Sequence, residues 1–353
     1  MESAQRDTIN PMLRVPFSEL LAAFERALLA NGMEPARAHL CATIFAETTR
    51  DGITSHGINR FPRFIQAIHN GSVQPNADPT PFATFGAIER WDGNLGPGPL
   101  NARTCTLRAI ELAKQHGIGC VALRNTNHWM RGGTYGWLAA DAGHFALCWT
   151  NTLANLPAWG ASEAVLGNNP LVIAIPRPGK PGENSPHVVL DMAMSLFSYG
   201  ALSNYAKRGE PLPFDGGFDA QGNLTRDAAA IYDSMRPLPI GYWKGSGLSL
   251  VLDMLGAMLS GGRSTHEIPN DMARESGISQ VFIVIDPSNI STTTELARIA
   301  DGILDNLHAA HRANPDKPIR YPGEQTITLR EENLRLGIPV DPDLWKQVQT
   351  GVF

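Results

Sequence analysis

The amino-acid sequence predicts an α/β protein with two lobes, one helical and one built around a sheet, and no Rossmann fold. The chain has 353 residues, which exceeds the usual size of a single hydrophobic core. Its first third has helical periodicity, and strand patterns begin only near residue 83. These strands do not alternate with helices at the spacing of βαβ units, and no G-x-G-x-x-G follows any of them.

Composition and charge exclude some classes of protein. Apolar residues make up 43% of the chain and charged residues 18%, which is typical of a globular protein. The net charge of −5 gives no basic field for nucleic acid. No signal peptide or membrane-spanning stretch is expected. Reduced, buried thiols in a cytoplasmic protein are expected, because no C-x-x-C pair occurs among the four cysteines, Cys41, Cys105, Cys120 and Cys148.

The helical lobe is expected to span residues 1–80, with residues 310–353 packed on it. Ser18 is a candidate N-cap for its first helix. Pro62 predicts that the third helix starts late or is kinked. The predicted helices run from Glu19 to Ala30, from just after Glu34-Pro35 to about Arg50, from just after Ser55-His56-Gly57 to Asn70-Gly71, and near Asp343–Gln349.

The sheet lobe is expected to span residues 81–310. Its predicted strands are Phe82–Trp91, Ile118–Leu123, His144–Trp149, Leu171–Ile175, Val188–Leu190 and Gln280–Ile285, and its predicted helices are Leu100–His116 and Lys244–Leu259. The Pro- and Gly-rich segment Pro176–Pro186 is predicted to be an exposed loop. One face of the second helix is expected to be buried, because five apolar residues form a stripe along it: Leu248, Val251, Leu252, Leu255 and Leu259.

The sharpest local signal for chemistry is the segment Ser55-His-Gly-Ile-Asn-Arg60. In a helix, His56 and Arg60 lie one turn apart on the same side. Such a pair suits a 2-keto acid, because Arg binds a carboxylate with a planar fork and an imidazolium can protonate a carbonyl oxygen. The alternative is a capped helix start with an incidental surface histidine.

Two further clusters follow predicted strands. Asn125–Gly133 contains His128 between polar and aromatic neighbours and ends in two glycines, as functional loops often do. The alternative is a loop histidine whose hydrogen bonds go to the backbone. The turn Gly167–Pro170 and the strand ending at Asp191 have amides that could bind a pyrophosphate, or that only cap strands. Metal-ligand spacing is absent, so no metal site is expected.

Taken together, these segments resemble the malate/L-lactate/sulfolactate dehydrogenase type-2 family, and within it the diketogulonate reductases. The likeness covers roughly residues 15 to 350. It lies in the segments Ser55–Ile65, Gly119–Gly133, Trp149–Asn151, Pro157–Ala161, Gly167–Leu171, Asp191-Met192, Pro213–Phe218, Gly222–Thr225 and Gly241–Gly247.

The resemblance implies a non-Rossmann, NAD(P)-binding oxidoreductase with a mixed, largely antiparallel sheet, a helical lobe and a homodimeric assembly. It places the proton donor on His56 and a second active-site histidine on His128, and we add Arg60 for a substrate carboxylate. The implied cofactor is NADH, with NADPH as the alternative. Its binding residues fall on His187, Val188, Val189, Leu190, Asp191, Met192, Ala193, Trp243, Lys244, Gly323, Glu324 and Gln325.

Two departures from the diketogulonate reductases stand out. They typically have Pro-Gly-His where this chain has Pro322-Gly323-Glu324, and the loop 176–186 is longer here. The expected reaction is reduction of 2,3-diketo-L-gulonate to 3-keto-L-gulonate. Other 2-keto or 2-hydroxy acids and cyclic imino acids remain alternatives, because relatives act on them. From a different class, a metal-dependent hydrolase or lyase could use His56, His128 and Asp191.

Overall fold

The computed structural model describes residues 13–178 and 186–353 of the chain. Two compact units account for it: residues 1–66 with 326–353, and residues 67–325. The lobe boundaries at 80 and 310 stay a prediction. Part of the predicted loop 176–186 lies outside the described residues, as does the N-terminal segment in which no signal peptide is expected. No helix among the described residues is long and apolar enough to cross a membrane.

Thirteen strands and eleven α-helices occur in the part of the chain that is described. The strands are β1 (Leu13–Val15), β2 (Thr80–Phe85), β3 (Ile88–Asp92), β4 (Ile118–Thr126), β5 (Phe145–Thr150), β6 (Ala154–Pro157), β7 (Ala164–Gly167), β8 (Leu171–Ile175), β9 (Val188–Met192), β10 (Gly217–Phe218), β11 (Leu224–Thr225), β12 (Ile278–Ile285) and β13 (Ile338–Val340). The helices are α1 (Phe17–Ala30), α2 (Pro35–Arg50), α3 (Phe61–His69), α4 (Gly98–His116), α5 (Gly133–Asp141), α6 (Tyr199–Arg208), α7 (Ala228–Ser234), α8 (Trp243–Ser260), α9 (Thr293–His308), α10 (Glu324–Leu336) and α11 (Pro342–Thr350).

The first unit is helical and has an aromatic core. The ring of Phe61 lies 4.4 Å from that of Phe24 and 5.1 Å from that of Phe45, measured between centroids. Helix α3 starts late, at Phe61, so Pro62 lies in its first turn, where the missing N–H costs nothing. The predicted cap at Ser18 is wrong, because α1 already begins at Phe17 and Ser18 lies inside its first turn.

The second unit is built on one seven-stranded sheet in the order β2-β3-β4-β12-β5-β8-β9. Its β3–β4 pair is parallel and the other neighbouring pairs are antiparallel, which confirms the mixed, largely antiparallel sheet. Phe282 of β12 contacts Tyr135 of α5, whereas the adjacent Val281 packs in a cluster with Leu252 of α8. Neighbouring strand residues point to opposite faces, so α5 and α8 cover opposite faces of the sheet.

The strand predicted over Phe82–Trp91 is wrong, because the chain turns back within it. Strands β2 and β3 form an antiparallel hairpin there, paired from Thr80 with Asp92 to Phe85 with Ile88. Gly86 makes the tight turn with a φ of +56°, a backbone conformation that glycine adopts without steric cost.

The predicted burial of the apolar stripe on α8 is also wrong. Leu252 is buried, but Leu248, Val251 and Leu255 are 36%, 49% and 41% exposed. The buried face instead carries small and polar residues, including Ser249 and Asp253. The reason is a set of polar pairs that fix the helix orientation: Asn169 Nδ2 donates to Ser249 Oγ at 3.1 Å, and Asn151 Nδ2 donates to Asp253 Oδ1 at 2.9 Å.

The four cysteines are free and buried. Burial raises the pKa of each thiol, that of Cys120 to about 11. Thiols of this kind are inert at neutral pH, because the reactive species is the thiolate. None of the four is therefore a candidate nucleophile.

Candidate active site

His56 ends a short 3₁₀ turn, Thr54–His56, that follows α2. The side chain is half-buried, and its Nδ1 lies 2.9 Å from the hydroxyl of Ser55. A hydroxyl can donate or accept, so this contact is compatible with a neutral ring and with an imidazolium. The turn thus presents a histidine that can carry and release a proton.

His56 and Arg60 do not share a helix, contrary to the helical arrangement considered from the sequence. The 3₁₀ turn ends at Gly57, whose ψ of −120° takes the chain out of the helix. Arg60 N then donates to Gly57 O at 3.0 Å, and Arg60 O accepts from Phe64 N at the start of α3. Both residues nevertheless belong to one short, internally hydrogen-bonded segment of the first unit.

A buried carboxylate anchors the chain just before this segment. Asp51 is 2% exposed and accepts two hydrogen bonds from Arg330 of α10, at 2.9 and 2.8 Å. Arg50 Nε donates to the same carboxylate at 2.9 Å, and Asn333 Nδ2 donates to the carbonyl of Arg50 at 2.6 Å. Bidentate Arg–carboxylate pairs of this kind have a fixed geometry, so α10 holds the entry to the His56 turn in place.

In the second unit, the loop of His128 is held by buried amides. Asn127 Nδ2 donates to the carbonyls of Leu95 and Gly96, and Gln280 Nε2 donates to the carbonyl of Asn127 at 3.1 Å. His128 itself is half-buried, and its Nδ1 accepts from the backbone N–H of Met130 at 3.0 Å. Because an amide N–H can only donate, Nδ1 carries no proton here, and the neutral ring has its proton on Nε2.

Asp191 links this loop to the strand of the predicted cofactor segment. Its Oδ2 accepts from the backbone N–H of Gly133 at 2.7 Å, two residues after Arg131. The carboxylate is open to water on one side yet surrounded by protein on the others. This desolvation raises the pKa of Asp191, and the Gly133 N–H and the Arg131 charge partly oppose the rise. Asp191 therefore joins the end of β9 to the loop that follows His128 through one hydrogen bond.

The structure brings the predicted cofactor segments 187–193 and 323–325 together. Val189 N donates to the carbonyl of Pro322 at 3.0 Å, so the residues before α10 extend the edge of the sheet next to β9. Gly323 has a φ of +94°, and a Cβ there would lie 3.2 Å from Val189 N. A larger residue would therefore be strained in backbone and crowded by the strand.

The third predicted cofactor segment, Trp243-Lys244, starts α8. The chain that leads to it bonds to the residues after β9: Ile240 N donates to Met194 O at 2.8 Å. Lys244 is exposed and Trp243 is 64% exposed in the first turn of an 18-residue helix. A lysine at a helix N-terminus favours an anionic group such as a phosphate. These residues fit a dinucleotide without a glycine fingerprint.

Several residues predicted to bind the cofactor have side chains that already bond to other residues of the protein. His187 is 3% exposed, with Nδ1 accepting from Arg177 N and Nε2 lying 3.0 Å from Asp141. Glu324 pairs with His308 at 3.2 Å, and Gln325 Oε1 accepts from Arg320. Any role of His187 in binding is therefore through its backbone. The side chains of Val188, Leu190, Met192 and Ala193 carry no polar group.

The turn Gly167–Pro170 supports the cofactor strand. Asn168 accepts from Met194 N through its carbonyl and from Ser195 N through Oδ1, both at 3.0 Å. Asn169 lies fully buried beneath it, bonded to Ser249 of α8. This turn therefore connects the end of β9 to α8 through hydrogen bonds. It agrees with the alternative in which its amides cap strands. Within residues 13–178 and 186–353, no three His, Cys, Asp or Glu residues lie close enough together to hold a metal ion.

Comparison of the sequence with known proteins shows the family to which the chain belongs. A model of the malate/L-lactate dehydrogenase family matches residues 15–349. The chain belongs to this family. A 2,3-diketo-L-gulonate reductase of Shigella boydii serotype 4 is 48% identical over 338 residues, covering 96% of this chain and 99% of the relative. An Escherichia coli (strain K12 / DH10B) 2,3-diketo-L-gulonate reductase matches to the same extent.

Solved structures agree with the assignment. The sulfolactate dehydrogenase of Methanocaldococcus jannaschii has a TM-score of 0.86 at 28% identity, covering 96% of each chain. The malate dehydrogenase of Pyrococcus horikoshii OT3 has a TM-score of 0.86 at 26% identity, covering 99% of this chain and 97% of its own. The protein is thus a nicotinamide-dependent oxidoreductase acting on a hydroxy or keto acid, not a hydrolase or lyase.

Proposed function

We propose that the protein reduces 2,3-diketo-L-gulonate to 3-keto-L-gulonate, with NADH as the preferred cofactor. The observation that carries this proposal is the 48% identity to 2,3-diketo-L-gulonate reductases across 96% of this chain and 99% of theirs. Similarity that runs through both units favours a shared substrate over a shared fold alone. Another 2-keto acid or a cyclic imino acid is the second candidate, because structures at 26–28% identity carry other substrate names.

A reduced nicotinamide, when bound, supplies hydride to the substrate carbonyl carbon. Backbone groups of β9 and Gly323, with Trp243 and Lys244, are the residues that would hold it. Lys244 is proposed to contact a cofactor phosphate or hydroxyl, supported by its exposure at the N-terminus of α8. Asp191 would lie near the reacting groups, supported by its hydrogen bond to the backbone N–H of Gly133 in the His128 loop.

His56 is the proposed proton donor to the substrate oxygen. Its Nδ1 neighbour is a hydroxyl, which can accept from a doubly protonated ring. His128 has a backbone N–H at Nδ1, which disfavours a proton there and so disfavours the imidazolium. His128 is therefore proposed to donate a hydrogen bond from Nε2 and orient the substrate. Arg60, fixed at the start of α3, is proposed to bind the substrate carboxylate.

A homodimer is the proposed assembly, with the outer stripe of α8 as part of its interface. This stripe contains Leu250, Val251, Met254, Leu255 and Met258, each between 41% and 67% exposed. The one charged residue between Gly245 and Ser260 is Asp253, which is buried. An uncharged helix face of this length fits against a second copy of itself. The four buried free thiols support a cytoplasmic location.

The proposed function is tested by following NADH absorbance while purified protein receives a panel of keto acids. The panel contains 2,3-diketo-L-gulonate, oxaloacetate, pyruvate, sulfopyruvate and a cyclic imino acid, each with NADH and with NADPH. We expect the highest kcat/KM for diketogulonate with NADH, unchanged by a chelator. A higher kcat/KM for another keto acid would make that compound the substrate in place of diketogulonate. Loss of activity with the chelator would contradict a mechanism without a metal ion.

A further inference from the structure

A buried hydroxyl of α2 holds the segment that carries His56 and Arg60. Thr49 is 1% exposed, and its Oγ1 donates to the carbonyl of Phe45 at 2.7 Å. The same oxygen accepts the backbone N–H of Ile58 at 3.0 Å. Ile58 lies midway between His56 and Arg60 in the sequence. One side chain outside the segment thus fixes its centre.

The segment packs against Thr49 without spare room. A Cβ on Gly57 would lie 2.3 Å from Thr49 Oγ1, so glycine is required at this approach. Ile58 is 1% exposed, which removes water as an alternative acceptor for its N–H. Loss of the hydroxyl would leave a buried donor unsatisfied, and the backbone would have to move to find a new partner.

We propose that Thr49 is a positioning residue for the reaction, setting the place of His56 and Arg60 through the N–H of Ile58. This inference rests on the proposed function, in which His56 donates the proton and Arg60 binds the carboxylate. Thr49 does not itself touch the substrate. Its effect is to keep the proton donor and the carboxylate ligand at a fixed separation while the keto acid binds.

Thr48 provides a matched control one residue away. It is also 1% exposed in α2, and its hydroxyl also donates to the carbonyl four residues earlier, at 2.7 Å to Ile44. Its hydroxyl bond stays within the helix, whereas that of Thr49 also reaches the His56 segment. Thr48→Val therefore reproduces the loss of a buried hydroxyl from the same helix turn without releasing Ile58.

The experiment compares Thr49→Val, Thr49→Ser and Thr48→Val in the full-length protein, with melting curves and steady-state kinetics. We expect Thr49→Val to lower kcat about 10- to 100-fold, because a displacement near 1 Å can cost about 100-fold. The KM for NADH should not change, and the solvent deuterium isotope effect should rise as proton transfer becomes limiting. Thr49→Ser should restore kcat, and Thr48→Val should match wild type at a similar loss of stability.

Equal kcat values for Thr49→Val and Thr48→Val would overturn the proposal, as would failure of Thr49→Ser to restore activity. If Thr49→Val does not fold, Thr49→Cys gives a second test, because its thiol is a weaker acceptor of similar size. Its kcat should then fall between those of Thr49→Ser and a His56→Asn variant. Normal turnover in His56→Asn would refute the role of His56 in the proposed function, a result distinct from any obtained with the Thr49 series.

Discussion

The backbone N–H of Met130 donates to Nδ1 of His128 at 3.0 Å. Met130 has a positive φ of 65°, a conformation uncommon for a non-glycine residue, and it brings this N–H back onto the ring. The proton of the neutral imidazole is thereby placed on Nε2. The two candidate histidines thus differ in what contacts Nδ1, which is a backbone N–H at His128 and the Ser55 hydroxyl at His56.

Substitution of His128 tests this division of roles. A glutamine amide can replace the Nε2–H donor, whereas an asparagine amide replaces the Nδ1 acceptor. We expect His128→Gln to keep a KM for the keto acid near that of wild type. His128→Asn should raise that KM about tenfold, the value of one net hydrogen bond. A larger loss of kcat in both variants than in His56→Asn would instead make His128 the acid.

Arg60→Met should weaken keto-acid binding. A charge-assisted hydrogen bond contributes about 1.5–3 kcal/mol, so the KM for the keto acid should rise roughly 10- to 100-fold. The KM for NADH serves as the internal control and should not change. If a keto substrate without a carboxylate suffers the same loss, Arg60 acts on something other than the carboxylate.

If the outer face of α8 forms a dimer interface, charges placed on this face should separate the subunits. Met254→Asp and Met258→Asp place charges on exposed apolar positions, which are 48% and 67% exposed. Light scattering after size exclusion should give a dimer for wild type and a folded monomer for the double variant. Phe85→Asp is the control, because Phe85 is 85% exposed on the edge strand β2 and is not part of the apolar stripe of α8. A wild-type monomer would contradict the proposed assembly.

The ion pair of Glu89 is expected to make the free energy of unfolding depend on pH in the acid range. Hydrogen bonds from the Arg108 guanidinium lower the pKa of this carboxyl, with further contributions from Trp91. A lowered pKa in the folded state stabilises the protein above the unfolded value, near about 4.3, and this stabilisation is lost as pH falls through the folded value.

Glu89→Gln tests that contribution. The variant should be destabilised by about 1.5 kcal/mol near neutral pH, since a charge-assisted hydrogen bond between part-buried groups is weakened. The difference in free energy of unfolding between the variant and wild type should shrink as pH falls below about 4.3. Urea unfolding from pH 7 to 3 measures this difference. A difference in free energy of unfolding that does not change with pH would show that the destabilisation comes from packing.

Elements with a strong local pattern could be predicted from the sequence. Strand β8 has its predicted bounds, Leu171–Ile175, because an apolar, β-branched run is limited by a proline on each side. Helix α10 is not among the predicted helices; it begins at Glu324, two residues after Pro322. Proline ends a helix but also commonly precedes one.

Orientation and supporting contacts could not be predicted in the same way. Apolar periodicity shows that one face of α8 avoids water, but not whether the sheet or another chain covers it. The resemblance supplied His56, His128 and the cofactor segments, whose roles stay predictions. Thr49 and Arg330 had no sequence signal, because a threonine in a helix and an arginine far along the chain acquire their partners only on folding.

Turnover of His56→Asn with 2,3-diketo-L-gulonate and NADH tests the central claim most directly. General acid catalysis contributes about 10²- to 10⁴-fold, so kcat should fall by that factor while the dissociation constant for NADH, measured by fluorescence, stays unchanged. The fall of kcat/KM towards alkaline pH that a proton donor produces should also disappear. Turnover of His56→Asn within the error of wild type would contradict the account.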